Sequence, residues 1–165
     1  MLWAANVAGS VRHAQVVSGT EPSEQNVEPM SWWLYQRGLN NTSVDLVGAI
    51  AVLQGFARRV IADVWGRFDV VLTPALAQRP VRIGAVDTMG ENPAWEFKKS
   101  GQFTPYTALF NLSGQPAMSV PLFQGDDSLP LGVQIAGPPV GEALLLSLAA
   151  QLEQARPWAD RRPGL

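Results

Sequence analysis

His13 is the only histidine in the 165-residue chain, so any Ser-His-Asp triad must run through it. No spacing singles out a serine and an acid to join it, and the Gly-x-Ser-x-Gly turn that presents a hydrolase nucleophile does not occur. Lys98-Lys99-Ser100 sets lysine amines beside a hydroxyl, the raw material of a serine activated by a lysine base. Adjacent residues in a loop rarely face each other productively, so a solvated charged turn is the favoured reading. Asp126-Asp127 has the look of a carboxylate pair, but it lies in the Gly/Ser/Pro-rich segment Phe123–Pro130, where acids serve as turn formers. One histidine, no cysteine and carboxylates without ligand spacing leave no expected metal site. No glycine-rich phosphate cradle is present, so no cofactor is expected.

Composition narrows the classes further. The chain carries 12 Lys and Arg against 14 Asp and Glu, and its basic pairs are scattered, which argues against a nucleic-acid partner. Its apolar runs are far shorter than the roughly 20 residues of a membrane span. Absence of cysteine excludes disulfides and thiol chemistry and agrees with a cytoplasmic location. The opening residues, without a basic region before an apolar core, do not read as a signal peptide. The length fits one core.

The elements that would position any chemistry follow from periodicity. Leu2 to about Ala14 suits a helix, and Val17–Gln25 reads as a loop. Pro29 opens a short aromatic helix that Gly38 would end. Thr42 and Asp45 have capping-box character ahead of a long apolar stripe from Leu46 to about Trp65. Phe68–Pro74 suits a strand buried on both faces, and Ala75–Gln102 is a long region with little periodicity. Thr104-Pro105 reads as a helix start, with the end near Asn111 and Gly114 beyond. Ala117–Leu122 and Leu131–Ala136 are two strands joined by a turn, and Glu142–Arg156 is a helix.

Asn111-Leu112-Ser113-Gly114-Gln115-Pro116-Ala117-Met118-Ser119-Val120-Pro121, followed by Leu129–Gly137, resembles the C-terminal signature of the amidase signature family. Glu142–Glu153 resembles that family's last helix, and Phe68–Pro74 is similar to one of its inner strands. The resemblance implies an α/β fold: the C-terminal part of the amidase signature fold, a mixed β-sheet with helices packed on it, and an incomplete sheet. It treats 1–165 as a single partial domain. Within it, 1–66 is mainly helical, 67–158 holds the strands and helices of the core, and 159–165 is a tail.

Members of that family cleave or transfer amide bonds with a serine nucleophile, a second serine in a cis peptide and a lysine base. The resemblance places those groups in the family's N-terminal half. Its Gly-Gly-Ser-Ser-like segment has no counterpart here, and Lys98 and Lys99 do not match the lysine's position, so no catalytic residue is assigned. The resemblance implies an acyl-side pocket before the Asn-x-x-Gly-x-Pro-Ala motif, which makes Trp95, Phe103, Thr104, Thr107 and Asn111 candidate substrate contacts. Each has a structural alternative, as a helix cap, a helix-end residue or core filling. The expected partners are a small-molecule amide in the parent enzyme and a second copy of the chain at an exposed sheet edge or apolar face. A non-catalytic binding module derived from an amidase is the alternative.

Overall fold

The computed structural model describes residues 1–162, so the last three residues of the expected tail, Pro163–Leu165, lie outside the described residues. The chain divides into two compact units, Met1–Gln54 with Arg82–Gln102, and Gly55–Val81 with Phe103 onward. Among the described residues no helix is long and apolar enough to cross a membrane.

In the first unit, helix α1 (Leu2–Ser18) and helix α2 (Pro29–Leu39) pack on each other, burying Ala4, Ala8, Leu34 and Tyr35. Helix α1 runs four residues past the expected end because Gly9 costs a helix only about 1 kcal/mol. It stops where Gly19 turns left-handed at φ 67°. Pro29 does open α2, but Gly38 lies inside the helix and does not end it. A Cβ built on Gly38 would fall 2.6 Å from the Ala8 Cβ, so glycine serves the helix crossing here. Trp33 stacks at 5.9 Å from Phe97 and lies beneath Arg37, and the Met30 N–H donates to the Thr88 carbonyl.

Helix α3 (Ser43–Val64) starts at the expected capping box: the Asp45 N–H donates to Thr42 Oγ1 at 3.1 Å, and the Thr42 N–H donates back to Asp45. None of its residues is buried, and Val44 and Val52 are 79% and 74% exposed. The region expected to lack periodicity contains helix α4 (Pro93–Phe103). Its start was legible in Asn92-Pro93: the Asn92 carbonyl and side-chain oxygens both accept the Trp95 N–H, and proline takes the first turn.

The second unit is built on a three-stranded sheet in the order β1-β3-β2, both pairings antiparallel. Strands β2 (Ala117–Gln124) and β3 (Pro130–Ala136) form the expected hairpin, extended at its turn end. Strand β1 (Val71–Pro74) departs from expectation. It is four residues long and not buried on both faces: Leu72, 62% exposed, and Pro74 alternate with the half-buried Val71 and Thr73, so one face of the strand is left open. Helix α5 (Thr107–Ser113) begins three residues after Thr104. Thr104 is therefore not its cap, and Pro105 sits in the turn between α4 and α5, where the residue before a proline is driven out of helical conformation. Gly114 ends α5 left-handed at φ 72°, as its position suggested. Helix α6 (Glu142–Ala155) lays Leu145 on β2 and β3, against Val120 and Ile135, with Val133, Leu148 and Trp158 completing the core. Ile135, at 0% exposure, is its centre.

Candidate functional site

Alternation along β1 and β3 puts Leu72 and Pro74 opposite Ile135 and Val133 at the free edge. The chain then turns away through Ala75–Pro80 and leaves a groove of about 890 Å³. Leu72–Pro80 form one wall and Pro130–Val133 the other, with Ser119 and Phe123 contributed by β2. Gly132 permits the narrow part: a Cβ there would lie 2.8 Å from Ser119 Oγ and 3.0 Å from the Ala75 Cβ. The Ala75 N–H donates to the Gly132 carbonyl at 3.0 Å, which fixes the start of the turning segment to β3.

Three polar links hold the surrounding elements. The Ala77 N–H donates to the Phe103 carbonyl at 3.1 Å. Gln134, buried in β3, donates its amide to Thr73 Oγ1 at 2.9 Å and to the Tyr106 carbonyl at 3.5 Å, tying the approach to α5 onto the sheet. Gln115, also buried, accepts from the Trp65 indole and donates to Ser113 Oγ at 2.7 Å. At the hairpin turn Arg79 Nη2 donates to Asp127 Oδ1 at 2.5 Å. That hydrogen bond, aided by the Leu129 N–H, holds the Asp127 carboxyl below its ordinary range. Asp126-Asp127 is thus a turn, as the composition suggested, with one of its acids bound to Arg79 across 48 residues.

The five candidate contacts fall on different parts of the chain. Phe103, Thr104, Thr107 and Asn111 follow one another along the turn into α5, where Thr107 Oγ1 donates to the Thr104 carbonyl at 3.4 Å. Trp95 belongs to the first unit, on α4, with the Lys98 amine 5.8 Å above its ring. None of the five lines the groove, and Asn111 is exposed. The groove residues Thr73, Ser119, Arg79 and Gln134's link to Thr73 were missed. The signal available was the pair of Gly/Pro-bearing segments that follow strand candidates, Ala75–Pro80 and Phe123–Pro130. Lys99 binds Glu96 at 2.7 Å, which lowers the Glu96 carboxyl, and Ser113 Oγ accepts from the Gln115 amide. His13 is exposed on α1. Among the described residues no cluster of His, Cys, Asp and Glu could hold a metal ion.

The sequence pattern of the Amidase family matches residues 16–146. This chain belongs to the amidase family. The 6-aminohexanoate-cyclic-dimer hydrolase of Paenarthrobacter ureafaciens is 32% identical over 96% of the chain and 33% of its own length. AmiB2 of Mycobacterium bovis, named as an amidase, is 46% identical over 64% of the chain and 22% of its own length. The solved structure of a 6-aminohexanoate cyclic dimer hydrolase superposes with a TM-score of 0.86 at 30% identity, over 97% of this chain and 34% of that one. A bacterial aryl acylamidase of the amidase signature enzymes shares the fold, with a TM-score of 0.72 at 21% identity. The chain therefore spans about a third or less of the length of the curated amidase relatives it matches.

Proposed function

We propose that this chain is the C-terminal portion of an amidase-type hydrolase acting on carbon-nitrogen amide bonds. It contributes core and acyl-pocket walls, while the Ser-Ser-Lys catalytic groups come from a segment outside these residues. The observation that carries this is the end-to-end likeness of 97% of the chain to one third of a cyclic-amide hydrolase. Phe103, Thr104, Thr107 and Asn111, with Trp95 from α4, are proposed as acyl-side contacts. Support for the first of them is its carbonyl bond to Ala77, which sits in the groove wall. The cysteine-free composition favours a cytoplasmic location. The exposed apolar surface of α3 supports association, either with the remainder of such an enzyme or with a second copy.

Assays of the pure chain against 6-aminohexanoate cyclic dimer and simple aryl amides test this. The expected result is no turnover by the chain alone and turnover when a Gly-Ser-Ser-bearing amidase segment is joined ahead of it in frame. Turnover by the chain alone that survives replacement of every serine by alanine overturns the proposal. A non-catalytic module derived from an amidase predicts ligand binding without turnover in either form.

A further inference from the structure

We propose that the groove between Leu72–Pro80 and Pro130–Val133 binds a small aliphatic carboxylate, with the Arg79 guanidinium as the partner of its anionic end.

Arg79 is the one ionisable side chain among the residues that line the groove; the rest are apolar or uncharged. Leu72, Leu76, Phe123, Leu131 and Val133 supply an apolar wall long enough for a short alkyl chain. The guanidinium is held in place from two sides. Its Nη2 donates to Asp127 Oδ1, which also accepts the Leu129 N–H at 3.1 Å, so the acid is itself anchored to the turn. Gly125 lies directly against it: a Cβ there would fall 2.0 Å from Nη2 and 2.4 Å from Cζ. A side chain at that position would displace the guanidinium, and glycine lets it rest on the turn.

A guanidinium carries five N–H donors, and Asp127 is its one hydrogen-bond partner among the described residues. The side chain is 49% exposed, so the remaining donors are open to a ligand. Arg79 lines the groove and Asp127 does not, so the acid holds the guanidinium from the turn side and occupies one of its donors. A carboxylate matches that planar fork, whereas an amine is repelled and a neutral amide gains weaker hydrogen bonds. Binding stands apart from turnover. Only its extension, that the carboxylate is the far end of the substrate's acyl chain, rests on the amidase proposal.

Titration of the full chain, followed by amide shifts of Leu131 and Val133, with hexanoate, hexanamide and hexylamine tests it. Hexanoate is expected to bind about fivefold more tightly than hexanamide, the discrimination an exposed ion pair provides. Arg79→Met abolishes the preference. Gly125→Ala, which keeps the charge but displaces it, lowers the preference and leaves the fold intact, because only the mobile end of Arg79 must move. Equal affinities for hexanoate and hexanamide, a preference that persists in Arg79→Met, or no shifts at the groove each overturn the proposal. A chain that prefers hexanoate but never supports amide turnover keeps the binding site and removes its assignment to an amidase substrate.

Discussion

Gly38 crosses Ala4 so closely that a Cβ built on it would lie 2.3 Å from the Ala4 carbonyl oxygen. Backbone, not a pliable side chain, is the obstacle. Gly38→Val should therefore force α1 and α2 apart and lower the stability of the helical unit by about 3 kcal/mol or more, read as the urea midpoint by circular dichroism. Gly9→Ala, where nothing lies within 4 Å, should raise the same midpoint by about 1 kcal/mol. Opposite signs at two helical glycines separate contact from propensity.

Val140 precedes α6 with φ at 63°, a conformation that a β-branched residue adopts at a cost, and its side chain is exposed. Val140→Gly should stabilise the sheet unit by about 1 kcal/mol in thermal unfolding. No packing is lost in exchange. An unchanged or lowered midpoint would show that the turn into α6 carries no strain at this residue.

Three carboxylates have pKa values held below their ordinary values of 3.8, 3.8 and 4.5: Asp45 by Thr42, Asp127 by Arg79 and Glu96 by Lys99. Each is more easily ionised folded than unfolded, so each favours the fold fully above its unfolded pKa. That contribution disappears as pH falls through the depressed folded value. Thermal midpoints should decline below about pH 4 and be flat between pH 5 and 7 with respect to these groups. In Arg79→Met the acid-side decline should be shallower, and in Thr42→Ala the part due to Asp45 should shrink but not vanish, because the residue-42 N–H still donates to Asp45.

Strand β2 is an open sheet edge, yet its middle is guarded. Pro121 offers no N–H, its carbonyl accepts from Arg161 at 3.1 Å, and the pairing with β3 shifts register between Val120 and Phe123. Pro121→Val should restore an unbroken edge and increase self-association, measured as concentration-dependent mass by light scattering. A monomer at every concentration in both forms would rule out self-association through this edge and through the exposed apolar side chains of α3 alike.

Where a signal was local, the sequence carried it. The Thr42–Asp45 box, the left-handed Gly114 and the β2–β3 alternation each depend on residues within a few positions of one another, and each lies where expected. Gly38 and β1 were misread because their environments are set by partners distant in sequence. A helix crossing at Ala4 decides the first, and which face of β1 is covered decides the other. The groove was illegible for the same reason. Arg79 and Asp127 meet across 48 residues, and neither carries a mark of the other in its own neighbourhood.

The Trp65–Gln115–Ser113 chain of hydrogen bonds bears on how this polypeptide can be divided. A boundary between a helical part ending at residue 66 and a strand-bearing part beginning at 67 looks natural in the sequence. It would take Trp65 from the buried Gln115 carbonyl oxygen, leaving an acceptor without its donor at a cost of about 1–3 kcal/mol. The smallest piece that keeps this amide satisfied reaches back into the second half of α3, where the compact sheet unit itself begins at Gly55. Gene dissection and domain exchange built on this chain should keep the end of the long helix with the strands, so that Trp65 travels with Gln115.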